Sequence, residues 1–118
     1  MIQANPIFKQ FAEQQGFYSK KLQRQIAKTG SIQKLIDLSP AIRKVFKGAY
    51  DISPQWHIRM QAAFQQHCDA AVSKTINLSE KSTIDAVDRA YKLAYSLGCK
   101  GVTVYRRGSR DQEPMSLY

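Results

Sequence analysis

The sequence predicts an α/β protein in which a run of short helices leads into a single β-α-β unit. Three observations support this. A capping residue stands just before proline at Asn5-Pro6, Ser39-Pro40 and Ser53-Pro54, which sets an N-cap ahead of a first helical position where the missing N–H costs nothing. AVSKTINL, residues 71–78, alternates with period two: Val72, Lys74 and Ile76 fall on one face, Ser73, Thr75 and Asn77 on the other. A helical repeat of Ile84, Val87, Tyr91, Ala94 and Leu97 then separates it from a second strand-like stretch, GVTVYR.

In chain order, helices are expected over 5–14, 19–29, 31–37 and 40–48, with Gly16 and Gly30 as C-terminal stops. Their apolar residues (Phe8, Phe11, Leu22, Ile26, Ile32, Leu35, Ile36, Ile42, Val45 and Phe46) are too few per helix to close a large core and are expected to pack on something else. Trp56, Met60, Ala63, Phe64 and His67 recur at helical spacing and predict a helix over 54–69, with Trp56 as a packing anchor. Ser82 and Asp85 form a capping-box-like start to the next helix, and Gly98 ends it. Strand, helix and strand in this order make a parallel, right-handed unit. Two parallel strands leave both outer edges unpaired, so further strands are expected from another chain. The organisation is a helical segment over 1–51, a helix-strand-helix-strand segment over 52–110 and a loose tail over 111–118, all in one structural unit.

With 118 residues and 43 % hydrophobic content, the chain has the size and composition of one small globular domain. No apolar run approaches the roughly 20 residues of a membrane span. The start MIQANPIFKQ lacks the basic-then-apolar order of a signal peptide, so a cytoplasmic protein is expected. Cys68 and Cys99 show no CxxC and no metal-ligand spacing with His57 or His67. Two buried thiols and two helix-surface histidines are expected, and no metal. The formal charge of +9 is concentrated in the first half, where nine Lys/Arg face only Glu13 and Asp37. Such a half invites a nucleic-acid reading, but its basic residues are not interleaved with stacking aromatics. A solvated surface or an acidic partner accounts for it more simply.

Two segments carry a resemblance: ISPQWHIRMQAAFQQHCDAAVSKTINL and AYKLAYSLGCKGVTVYRRGSRD. In order and spacing over 52–110 they resemble the end of the catalytic barrel in the class II, cobalamin-dependent ribonucleotide reductases. The likeness extends more weakly through NPIFKQFAEQQGFYS and KTGSIQ. It implies the last two strands of a ten-stranded α/β barrel, with the helix between them. It also implies adenosylcobalamin as cofactor, a ribonucleotide substrate, and a thiyl radical that removes the ribose 3′-hydrogen. The central cysteines, the catalytic Asn and Glu, the phosphate-binding turn and the allosteric site belong to earlier parts of the family sequence. The chain is therefore expected to complete the barrel of a partner catalytic chain and to be inactive alone. Relatives fed by a separate radical subunit carry two adjacent tyrosines on the last strand. Anchoring on Gly98-Cys99-Lys100 and Ser109-Arg110-Asp111 places Thr103-Val104 there, which fits a radical made locally. The chain departs from the family pattern at Ala70, where Asn is usual before Ala-Val-Ser-Lys-Thr, and at Arg107, where Asp is usual before Gly-Ser-Arg.

Ser73, Lys74 and Thr75 are the candidate substrate-binding residues: hydroxyls and an ammonium near a strand's C-terminal end suit phosphate contacts. Strict alternation sends Lys74 to the face opposite Ser73 and Thr75. Asn77, Thr103 and Tyr105 are expected to line the barrel interior. No residue of the chain is expected to be catalytic in itself. Arg106, Arg107 and Arg110 form a basic cluster after the last strand, a solvated loop or an interface. Two other functions stay open: a reductase-derived binding or regulatory module without catalysis, and a small basic nucleic-acid-binding protein. The last predicts affinity that falls steeply with salt, readable in a titration with DNA and RNA.

Overall fold

A computed structural model describes residues 5–109. The elements run α1 (Pro6–Gln14), α2 (Lys20–Thr29), α3 (Pro40–Val45), a 3-10 turn (Ala49–Asp51), α4 (Pro54–Gln65), β1 (Thr75–Leu78), α5 (Ile84–Ser96) and β2 (Thr103–Arg106). They cluster into two compact units, divided between Asp51 and Ile52. The expected loose tail over 111–118 lies outside the described residues.

The first unit is held by caps and an aromatic core. Asn5 Oδ1 accepts from the Ile7 and Phe8 N–H groups at 2.9 and 3.2 Å, Ser19 Oγ from Leu22 N, and Ser39 Oγ from Ile42 N. Gly30 ends α2 in the left-handed region at φ 68°, which only glycine enters at little cost. Contrary to expectation, the apolar residues of this half close a core of their own. Phe8, Ala12, Leu22, Ile32 and Leu38 are buried together, with Phe17, Ile26, Leu35, Ile42 and Phe46 packed against them. The Phe8 and Phe46 rings meet edge to face, centroids 5.1 Å apart. Ile36 and Val45 stay outside it, exposed.

No helix forms over 31–37. Side-chain bonds hold that segment in turns instead. Ser31 Oγ donates to the Asp51 carboxylate at 2.7 Å and accepts from Gln33 N. Gln33 Nε2 donates to the Arg43 carbonyl at 2.6 Å, and Arg43 Nη1 returns a bond to the Gln33 carbonyl at 3.1 Å. Leu35 N and Leu38 N reach back three residues rather than four. The same contacts shorten α3, which ends at Val45 and not near residue 48.

In the second unit, α4 and α5 pack on one face of a two-stranded parallel sheet. The register is Thr75↔Thr103, Ile76↔Val104, Asn77↔Tyr105 and Leu78↔Arg106. Ile58 of α4, Ile76 and Leu78 of β1, and Ala90 and Ala94 of α5 are buried together, with Val87, Leu93, Val102 and Val104 beside them. Thr83, not Ser82, caps α5: its hydroxyl accepts from Ala86 N at 3.3 Å, while Ser82 Oγ pairs with Ser79 Oγ. Asp85 still lies in the first turn, where its charge suits the helix dipole. Gly98 follows α5 at φ 74°.

The face of α4 that meets the sheet is not the apolar one. Buried on it are His57, Ile58, Gln61, Ala62 and Gln65, so His57 is no surface histidine. Gln61 Nε2 donates to the Val72 and Gly101 carbonyls at 3.0 and 2.5 Å. Gln65 Nε2 donates to the Cys68 and Ala70 carbonyls, and its Oε1 accepts from Val72 N and Lys100 N. These bonds end α4 at Gln65, four residues short of the expected span. They also delay both strands, because Val72 and Gly101 spend backbone groups on glutamine rather than on each other. Residues 71–73 keep the alternating exposure of a strand without joining the ladder, which begins at the Lys74 carbonyl.

Replacing Gln61 by Met keeps the volume and removes the side-chain donor from the Val72 and Gly101 carbonyls. A lost partner for a buried polar group costs about 1–3 kcal/mol. Urea unfolding followed by circular dichroism should show a loss of that size for Gln61→Met and for Gln65→Met, and less than half of it for Gln66→Met, whose side chain is exposed.

Candidate functional site

In a parallel pair, residues in register point to the same side of the sheet. Ile76, Leu78 and Val104 take the side covered by α4 and α5. Thr75, Asn77, Thr103 and Tyr105 therefore share the other side, which neither helix of this unit covers. The arrangement gathers two hydroxyls, a carboxamide and a phenol on a surface two strands wide. Thr75 and Thr103 are exposed, Asn77 and Tyr105 half-buried. The Tyr105 hydroxyl is itself buried and finds no hydrogen-bond partner among the described residues. Buried polar groups are nearly always satisfied, and Arg43 Nε and Gln61 Oε1 are in the same position as this phenol.

Of the six residues singled out in the sequence, four meet on this face. Ser73 lies upstream on the same phase of the alternation and is exposed. Lys74 takes the opposite phase, and its ammonium folds back onto the Thr75 carbonyl. One expectation needs correction. Ser73, Lys74 and Thr75 lie at the N-terminal end of the paired strand, not its C-terminal end: β1 begins at Thr75, and the first ladder bond runs from Thr103 N to the Lys74 carbonyl. The glutamine bonds to Val72 are the reason. At the C-terminal end stand Ser79 and Glu80, beside Arg107–Ser109; Arg107 N donates to the Leu78 carbonyl at 3.0 Å. Gly108 stands there at φ 74°, where a side chain would be strained. Arg110 lies outside the described residues.

Reading the sequence missed Gln61 and Gln65, which hold the entry to both strands. Their signal was present. His57, Gln61 and Gln65 recur every four residues, in phase with Ile58 and Ala62 on one helix face.

Both cysteines are free. Cys68 is exposed rather than buried, because α4 ends three residues before it. Cys99 is half-buried against the second core, and burial pushes its thiol up from the ordinary value. Among the described residues no group of three or more His, Cys, Asp or Glu side chains could hold a metal ion. The grooves are small. The one between α4 and α5 encloses about 470 Å³, and one in the first unit about 170 Å³. Neither fits a corrin macrocycle with an axial adenosyl group.

The family model described as ribonucleotide reductase, barrel domain, matches residues 1–105. A vitamin B12-dependent ribonucleoside-diphosphate reductase from Thermoplasma acidophilum is 43 % identical over 98 % of this chain and 15 % of its own length. One from Mycobacterium tuberculosis is 43 % identical over 98 % of this chain and 17 % of its own. The chain thus spans less than a fifth of the relatives it matches. Among solved structures, the class Id ribonucleotide reductase alpha subunit of Actinobacillus ureae superposes with a TM-score of 0.80, over 88 % of this chain and 20 % of that one, at 24 % identity. That likeness establishes the fold.

Thiol labelling should separate the two cysteines. Cys68 is exposed, whereas Cys99 is half-buried with its pKa raised by burial, which leaves it less thiolate at any given pH, so at neutral pH a maleimide should modify Cys68 first. Mass spectrometry of the labelled peptides measures both.

Proposed function

The chain belongs to the ribonucleotide reductase barrel family, and from that premise we propose that it supplies the last two strands of a cobalamin-dependent reductase barrel and completes a site whose radical chemistry is carried by the rest of the enzyme. One observation carries the reading: the polar residues Thr75, Asn77, Thr103 and Tyr105 gather on the side of the sheet that its helices leave uncovered. Helices on the outside and side chains filling the inner face are the arrangement of a barrel wall, and here that inner face is polar. The free edges of β1 and β2 supply the second requirement, since each can accept another strand.

The substrate on this reading is a ribonucleoside diphosphate, in line with the names of the Thermoplasma and Mycobacterium relatives. The hydroxyls and amide of the helix-free face suit a ribose or phosphate oxygen; Ser73 extends that row, and Lys74 would need to leave the Thr75 carbonyl to join it. Adenosylcobalamin is held by the remainder of the barrel, since this chain's grooves do not fit it. The partner is that remainder, on the same longer polypeptide or on another, and the expected place is the cytoplasm. No helix among the described residues is long and apolar enough to cross a membrane.

Mixing the chain with a Thermoplasma acidophilum reductase truncated before the matched region tests this. Neither component alone should form deoxyribonucleotide. Together they should do so, dependent on adenosylcobalamin and a thiol reductant. Tyr105→Phe and Thr103→Val should each lower turnover about five- to hundredfold, the worth of one buried hydrogen bond at about 1–3 kcal/mol. Binding without any gain in turnover would support a regulatory module instead, and no association at all would sink both readings.

A further inference from the structure

The most apolar face of α4 points away from the unit's own core. Trp56, Met60 and Phe64 stand one helical turn apart and are 62, 58 and 60 % exposed. The neighbouring face, with His57, Ile58, Gln61, Ala62 and Gln65, is the one buried. This inverts the usual rule that an amphipathic helix turns its apolar stripe inward. Three such side chains present an apolar patch of roughly a few hundred Å², the size of the largest patch on a typical monomer, which is often functional. The composition agrees. Trp, Met, Phe and Arg are the residue types enriched at interface centres, and the Arg59 guanidinium lies over the Trp56 ring at 5.0 Å. No carboxylate occurs between Ser53 and Cys68, so the surface is cationic as well as apolar. At the first turn of the same helix, the groove against α5 has Ile58, Ala90 and Leu93 in its lining and Arg89 and Lys92 among its basic residues.

We propose that the Trp56–Met60–Phe64 face of α4 is a docking surface for the rest of the reductase, and that the segment seated on it is apolar at its centre with a carboxylate facing Arg59. This rests on the reading of the chain as part of a larger barrel. That occupant is favoured because more than four-fifths of the length of the matched relatives lies outside this segment, and because the strands whose edges await pairing belong to the same unit as α4. The helix then has two buried sides. Glutamines fix it to its own strands, and the apolar stripe joins it to the neighbour.

Trp56 is the single tryptophan of the chain, so one 5-fluorotryptophan gives one fluorine resonance from this face alone. The labelled full chain is titrated with the truncated Thermoplasma acidophilum reductase, and complex formation is followed separately by gel filtration. The resonance should shift and lose its solvent-isotope sensitivity as the complex forms. Met60→Glu and Phe64→Glu should each weaken binding by about thirtyfold or more, as at an interface hot spot, with circular dichroism unchanged because both side chains are exposed. A complex that forms while the resonance stays solvent-sensitive overturns the proposal and leaves the barrel reading standing. Self-association of the chain that buries Trp56 overturns it in favour of a second copy. Failure to form any complex removes the barrel reading, and this proposal with it.

Discussion

Two glutamine side chains organise the second unit. A β-strand needs its backbone groups paired, and a parallel pair cannot be closed by a tight turn. Here the entry to each strand is held from outside the sheet. Gln61 ties Val72 to Gly101, and Gln65 ties Val72 to Lys100. The first rungs of β1 and β2 therefore start level with one another, and Thr75 faces Thr103. Because side chains alternate strictly along a strand, a slip of one residue would send Tyr105 to the helices and Val104 to the helix-free side. The polar face exists because the glutamines set that register. Burying an amide is costly unless its bonds are made: Gln61 is 1 % exposed, its Nε2 makes two bonds and its Oε1 finds no partner among the described residues.

Much of this was legible in the sequence, and the reasons for the rest are physical. The caps at Asn5 and Ser39 act through neighbours two or three residues away, so local order reveals them; Ser53, read in the same way, makes no side-chain capping bond to α4. The alternation from Val72 to Asn77 is equally local, and it placed Thr75 and Asn77 on one side correctly. The bounds of elements failed wherever distant side chains intervened. Ser31, Gln33 and Arg43 hold residues 31–38 in turns through partners 10 to 20 positions away, and no periodicity reports such bonds. The helix at 54–65 had the right place and the wrong inside. An apolar stripe says that a face is to be buried without saying by which partner, and the glutamine face was the one its own strands required.

The two halves also differ in what they bury. Residues 5–51 close an aromatic core with four phenylalanines in mutual contact. The second half buries small and branched side chains, with Ala90 and Ala94 letting α5 lie close on Ile76 and Leu78. Small residues at a helix-sheet contact trade area for close approach.

The bonds of Gln61 reach 11 and 40 residues along the chain, and that difference gives assembly an order. The entropy lost in closing a loop grows with its length, and contacts distant in sequence are slow to find. The α4–Val72 loop is the shorter and closes at lower cost. Once it is shut, one arm of the Gln61 carboxamide is already fixed, and the Gly101 carbonyl meets a donor aimed at it. The helix that finishes the sheet thus also serves as the template on which its last strand is laid.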